Sequence, residues 1–207
     1  MNFLPTGILS RCLISSLFLV FGATFNMEVQ AKILPQGKTI RELFSEKELD
    51  PYKRTGKAAI SGQAFLKTQG GDVKLGAGCK VTLSPATQYM KKYYAGVNLL
   101  SRALKLMREA NDPRTDWPVA EAKFKEAERL KARAGDDAGE LDFRQIPYQK
   151  QSIADAGGNF EFKGLPPGEY IIDCTIEWQV GGVTQGGLII QTVTIGANES
   201  KKIMLTQ

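Results

Sequence analysis

The sequence predicts a mainly β protein, a β-sandwich interrupted by an α-helical hairpin, and three observations carry that prediction. Segments that alternate with a period of two, Ala58 to Thr68 and Cys79 to Leu83, precede a stretch with the helical period, and alternation returns from Gln149 onward. Gly- and Pro-rich turns separate the alternating segments at regular intervals, as sandwiches require. Of the 207 residues, 43% are hydrophobic and 24% charged, a balance that excludes wholesale disorder.

Absences narrow the chemistry. The chain has no His, which removes His-ligated metals, Ser-His-Asp and Cys-His catalysis and the usual pH switch. Three Cys cannot build a zinc site of four cysteines or a disulfide-dense miniprotein. The net charge of +5 is scattered rather than clustered, and no nucleic-acid motif accompanies it, so no nucleic-acid partner is expected.

The chain opens on an expected export signal, residues 1–31. Arg11 supplies the positive region, Cys12 to Phe25 the apolar stretch, and Val29-Gln30-Ala31 the small residues before a cleavage point at Lys32. The apolar run falls short of the ~20 residues that span a bilayer, although an uncleaved anchor is the competing reading. No later segment is apolar enough to cross, so no integral membrane segment is expected after cleavage. Export places the product outside the cytoplasm, in the periplasm or secreted.

Residues 32–57 form a polar segment with one short amphipathic stretch, Thr39 to Glu48, that predicts a brief helix ended by Pro51. The first strand, from Ala58, runs to a Gly70-Gly71-Asp72 turn. In the second, Cys79, Val81 and Leu83 share one face, and Pro85 closes it. Tyr89, Tyr93, Val97, Leu100, Leu104 and Met107 then draw an apolar stripe along a helix that Asn111-Asp112-Pro113 stops. A second helix begins near Asp116, with Ala120, Phe124, Ala127 and Leu130 inward and Gly135 as its cap. The short link between the helices predicts an antiparallel hairpin whose charged outer faces are solvated. Ala134 to Gln145 reads as a mobile connector.

Strands resume at Gln149 to Ile153. An Asp155-to-Gly158 turn follows, then Phe160 and Phe162 on one strand face, then the turn Leu165-Pro166-Pro167-Gly168. Tyr170, Ile172, Cys174, Ile176 and Trp178 occupy one face of a long strand, against Asp173, Thr175 and Glu177 on the other. Gly181-Gly182 turns the chain, Gly187 to Ile195 runs back, and Lys201 to Thr206 closes the sheet.

The run Gly158-Asn159-Phe160-Glu161-Phe162, followed by Leu165-Pro166-Pro167-Gly168-Glu169-Tyr170, resembles the signature of the carboxypeptidase regulatory-like domain family, with Asp155 where that family has its turn Asp. Gly78-Cys79-Lys80-Val81-Thr82-Leu83 is similar, with one extra residue, to the family's upstream strand. The resemblance covers Ala58 to Pro85 and Gln149 to Thr206. It implies a seven-stranded, Greek-key, transthyretin-like sandwich and an accessory role in binding, spacing or stabilisation, some relatives being classed as starch-binding-like. Residues 58–206 would form that domain, interrupted by an insert at 87–148 that the ordinary family domain lacks. Both ends of the insert leave strands of one sandwich, and loop-closure cost grows only slowly with length, so the sandwich is expected to stand without it. The motif itself is architectural. Asp155 caps a turn, Gly158 takes positive φ, Phe160, Phe162 and Leu165 fill the core, Pro166-Pro167-Gly168 reverses the chain, and Tyr170 starts a half-buried strand.

No nucleophile–base pair can be assembled, so the expected role is non-enzymatic, with no cofactor, no resident metal and no catalytic residue. Asp136, Asp137, Glu140 and Asp142 are dense in carboxylate but lack calcium-loop spacing, and a solvated linker competes with a weak divalent site. Asp173 and Glu177 share a polar outer face. Tyr93 and Trp178 fall on apolar stripes, which leaves Tyr94 and Trp117 as the ligand-contact candidates. Gly181 to Gly187 reads as a hairpin loop rather than a phosphate cradle. Cys79 and Cys174 lie on the inward parity of their strands and pair as a disulfide or pack as buried thiols. The expected partner is an envelope protein or a polysaccharide, bound by an accessory protein or by a carbohydrate-binding module with aromatics at its loop ends.

Overall fold

A computed structural model describes residues 39–68, 70–139 and 141–207, so the expected signal lies outside the described residues. Eight strands form: β1 (Ala58–Lys67), β2 (Val73–Leu75), β3 (Lys80–Pro85), β4 (Lys150–Ile153), β5 (Asn159–Leu165), β6 (Gly168–Val180), β7 (Val183–Ile195) and β8 (Ser200–Leu205). Helices α1 (Gln88–Ala110) and α2 (Trp117–Ala134) stand between β3 and β4. Both helices of the hairpin thus fall where the change of period predicts them.

One four-stranded sheet centres on β1, which pairs antiparallel with β2 and β5 and parallel with β8. The other runs β4-β3-β6-β7 and is antiparallel throughout. The sheets face each other across a shared core. Ile60, Ala64 and Leu66 of β1, Phe160 and Phe162 of β5, and Ile203 and Leu205 of β8 meet Val81 and Leu83 of β3, Ile172, Cys174 and Ile176 of β6, and Ile189, Val193 and Ile195 of β7. Alternation puts every one of these side chains on the same face of its strand. Eight strands replace the expected seven. The extra one is β2, whose three residues are too few to show a period and which pairs only at the end of β1, Phe65 against Leu75.

β6 and β7 form a long ribbon closed by Gly181-Gly182, with Val180 paired to Val183. Both glycines have positive φ, +57° and +81°, the backbone that a two-residue type I′ turn needs. At the other end of β6, Tyr170 donates its hydroxyl to the Pro166 carbonyl at 2.9 Å, tying the strand to the preceding turn. The polar N-terminal segment forms two 3-10 turns, Ile40–Leu43 and Glu46–Lys53, with Pro51 inside the second rather than ending it. It docks through Tyr52, whose ring meets Tyr170 edge-on at 5.3 Å and whose hydroxyl donates to the Glu169 carbonyl.

The helical hairpin departs from expectation in two ways. Its helices meet through small residues as well as large ones: Ala103 and Ala110 of α1, and Ala120, Ala127 and Ala134 of α2, recur at heptad spacing and are all buried, with Leu130 buried among them and Leu99, Leu106 and Met107 packed alongside. Leu104, assigned to the inner stripe, is exposed instead. The hairpin also does not stand apart from the sandwich. Tyr89, Met90 and Tyr94 of α1 pack on Ile171 and Ile190 of the outer sheet face, so the insert covers apolar surface that would otherwise be wet. Ile171 and Ile190 carry their side chains to the face opposite the core, and their cover by α1 weighs against a separable insert.

Nor is Ala134 to Gln145 a loose connector. It coils into 3-10 turns at Gly135–Ala138 and Phe143–Tyr148. The first lies so close to Gly96 of α1 that a Cβ there would stand 2.7 Å from the Ala138 amide nitrogen. Asp142 donates its backbone N–H to the Tyr89 hydroxyl at 2.8 Å.

Candidate functional site

The outer face of β6 presents Glu169, Asp173 and Glu177, every fourth residue, and α1 answers all three. Lys91 pairs with Glu169 at 2.5 Å, Tyr94 donates its hydroxyl to Asp173 at 2.5 Å, and Arg108 pairs with Glu177 at 3.0 Å. The central contact is the least solvated. Burial pushes the Asp173 carboxyl up to about 6, against the downward pull of the Tyr94 hydroxyl and the Lys80 charge. Burial, then the charge of Asp173, raises the Tyr94 phenol well above its ordinary value. Ser84 lies within hydrogen-bonding distance of the Tyr94 hydroxyl and accepts from the Gln149 amide, extending the network across β3. Asp173 and Glu177, read as a polar outer face, are anchors for the insert.

Beside this clasp, α1 and β7 diverge and leave a groove of about 370 Å3, lined by Asn98, Ser101, Arg102 and Lys105 of α1, by Gly186, Gly187, Leu188 and Ile190 of β7, and by Thr206 and Gln207. The four helix residues follow an i, i+3, i+4, i+7 pattern, one stripe along α1. On β7, alternate residues 186, 188 and 190 face outward, and the glycines keep the floor free of side chains. The volume falls within the ~300–1,000 Å3 of small-molecule sites. No acidic side chain and no aromatic ring lines the groove among the described residues. A wider concavity of about 490 Å3 lies where Asp50, Pro51, Arg54, Thr55 and Gly56 meet Pro166 and Pro167. Its one carboxylate, Asp50, is already paired with Lys53.

The sequence-predicted site residues do not assemble there. Tyr94, proposed as a ligand contact, is 7% exposed and spends its hydroxyl on Asp173, so it is a clasp residue instead. Its position one residue from the apolar stripe concealed that burial. Trp117 is 73% exposed at the start of α2 and outside the groove. Tyr93 is half-buried and stacks on Tyr89, and Trp178 packs against the core with its ring beside Gly186. Cys79 and Cys174 are free thiols on the same core cluster, and burial raises both above the ordinary thiol value. Asp137 pairs with Lys92 and Asp142 with Arg144, while Glu140 lies outside the described residues. Among the described residues, no three His, Cys, Asp or Glu side chains come together as a metal site would need.

The turn motif behaves as its chemistry requires. Asp155 accepts hydrogen bonds from the Asn159 side-chain amide at 3.0 Å and from the backbone N–H groups of Asn159 and Gly157, both at 2.8 Å, and these hold its carboxyl below the ordinary range, the Asn159 side chain most. Gly158 has φ +77°, and a Cβ there would stand 2.6 Å from the Ala64 carbonyl oxygen. Phe160, Phe162, Leu165 and Tyr170 are buried, Pro166 is buried while Pro167 is exposed, and Gly168 lies against the Tyr52 ring. All nine motif residues build the fold, and of them only Pro166 and Pro167 line a concavity.

The groove could not be read from the chain. Asn98, Ser101, Arg102 and Lys105 look like an ordinary solvated helix face, and the only available signal, their common stripe, says nothing of what it faces.

No family model matches the chain, and no curated protein matches it. Among solved structures it is similar to a Pseudomonas aeruginosa protein described as a candidate carbohydrate-binding protein, with 28% identity and a TM-score of 0.57, over 79% of this chain and 97% of that one. It also matches the pilus backbone protein of Streptococcus pneumoniae at 16% identity and a TM-score of 0.24, over 72% of this chain and 41% of that one, a likeness too slight to argue from. A mainly β architecture of two sheets carrying helices fits the first of these neighbours. Among the described residues no helix is long and apolar enough to cross a membrane.

Proposed function

We propose that this chain is an exported, non-enzymatic accessory module of the cell envelope, related to the carboxypeptidase regulatory-like domains, that binds a polysaccharide in the groove between α1 and β7. The observation that carries the reading is the groove's lining: Asn98, Ser101, Arg102, Lys105 and Thr206 offer hydroxyl, amide and cationic donors around a glycine floor. Saccharides present closely spaced hydroxyls and ring oxygens, which such a row of donors matches. The likeness to a candidate carbohydrate-binding protein over most of both chains supports the ligand class. The signal-like residues 1–31 support export, with cleavage before Lys32 and a periplasmic product. Sequencing the N-terminus of the exported protein tests that part.

Affinity electrophoresis through gels cast with envelope polysaccharide tests the binding. Ser101→Trp fills the groove without touching its charges. Retardation of the native protein that this variant abolishes supports the reading, and equal migration in gels with and without polysaccharide contradicts it. A second reading, docking of an envelope protein, rests on Trp117 and Val119, exposed together at the start of α2.

A further inference from the structure

α1 carries basic residues whose pairing is uneven. Lys91, Lys92 and Arg108 each hold a carboxylate, those of Glu169, Asp137 and Glu177. Across the hairpin, Lys123, Lys125, Arg129 and Lys131 of α2 are paired as well, and Arg133, in the last turn of α2 and outside the groove, is not. Among the described residues, Arg102 and Lys105 have no carboxylate partner, and these are the two basic side chains in the groove. Two adjacent positive charges, one turn apart on a helix whose other basic residues are neutralised, leave a local positive field that a ligand of opposite sign relieves. The groove also offers no ring on which a sugar face can stack, so affinity there falls to hydrogen bonds and charge.

We infer that the saccharide in this groove is anionic, a sugar carrying a carboxylate or sulfate, held by Arg102 in a forked contact and by Lys105 as a point charge. The inference rests on the polysaccharide reading above and adds the sign of the ligand. Arg102 suits a planar carboxylate, which its guanidinium can meet with two parallel hydrogen bonds, while Ser101 and Asn98 reach the neighbouring hydroxyls.

Calorimetric titration of the protein with three probes tests it: an oligogalacturonate, the same oligomer with its carboxyls reduced to neutral alcohols, and a sulfated oligosaccharide of equal length. The inference expects binding of at least one acidic probe and none of the neutral one. It expects about tenfold weaker binding for Lys105→Ala, the loss of one charge-assisted hydrogen bond, and a larger loss for Arg102→Ala, which removes both bonds of the fork. Arg102→Lys keeps most of the sulfate affinity and loses more of the carboxylate affinity. Binding falls as salt rises, since these charges are exposed. The carboxylate and sulfate probes separate the two sources of negative charge. Equal binding of the neutral oligomer, still blocked by Ser101→Trp, overturns the anionic inference and leaves the polysaccharide reading standing. Acidic binding that Arg102→Ala and Lys105→Ala leave unchanged overturns the assignment of this groove, and absence of binding by both acidic probes overturns the inference outright. Neither side chain makes an ion pair in the fold, so unaltered thermal unfolding of the variants certifies the comparison.

Discussion

Asp173→Asn should stabilise the protein at neutral pH and leave it unchanged in acid. Asp173 stands between β6 and α1 with the Tyr94 hydroxyl 2.5 Å away, and burial lifts its carboxyl from 3.8 to about 6. Because the folded value stands above the unfolded one, the stability contributed by Asp173 is complete below about 3.8 and is lost as pH rises through about 6. By linkage, keeping the carboxylate charged at pH 7.5 costs roughly 3 kcal/mol, an upper figure because water reaches part of the side chain. Asn is nearly isosteric, still accepts from Tyr94, and carries no charge to desolvate. For a chain of this size, 1 kcal/mol moves Tm by about 2–4 °C, so the gain at pH 7.5 should reach several degrees. Thermal melts of both proteins at pH 4, 5, 6 and 7.5 should converge at the acid end and diverge above about 4. Tyr94→Phe should move the other way at pH 7.5, by about 1.5–3 kcal/mol, since it removes a hydrogen bond to a charged acceptor. A difference between native and Asp173→Asn that does not change with pH, or a loss of stability at pH 7.5, would refute the buried-carboxyl reasoning.

Replacing residues 87–148 by a short Gly/Ser linker should give an aggregating product that binds hydrophobic dyes, because Ile171 and Ile190 lose their cover; a monomer with a cooperative all-β melt would show the insert to be dispensable. Gly158→Ala should cost more than about 2 kcal/mol in urea unfolding, through the left-handed backbone and the approach to the Ala64 carbonyl oxygen, and a loss under about 0.5 kcal/mol would mean the turn relaxes freely. Exposure to an oxidising compartment should join Cys79 to Cys174, since both free thiols pack on the same core cluster; a non-reduced mass two hydrogens lower and a linked peptide would confirm the bridge, and two alkylatable thiols after denaturation would contradict it.

Much of the sandwich is legible because period-two burial is a local property. Phe160 with Phe162, and Tyr170 through Ile176, declare which way they face before any partner is known. The Asp155 turn and the Gly181-Gly182 turn are equally local, since each depends on residues within a few positions of itself. What escapes sequence reading depends on docking between distant elements. Tyr94 sits beside the apolar stripe of α1 rather than on it, and only the arrival of the β6 outer face with Asp173 buries it. Ala103 and Ala110 carry no strong hydrophobic signal, yet they are buried on α1 while Leu104 is exposed. Arg102 and Lys105 resemble every other basic residue on the hairpin until the partners of their neighbours are known. The candidate site is a product of insert against sandwich, and no single segment encodes it.

The most direct test of the central claim is amide-shift mapping of the isotope-labelled protein during titration with the oligosaccharide that binds it best. The account predicts that the largest shifts fall on residues 98–105 of α1, 186–190 of β7 and the C-terminal Thr206 and Gln207, with Trp117 and the neighbourhood of Thr55 and Gly56 unmoved. Shifts centred on Trp117, or on the concavity beside Pro166 and Pro167, with the groove residues silent, would contradict it.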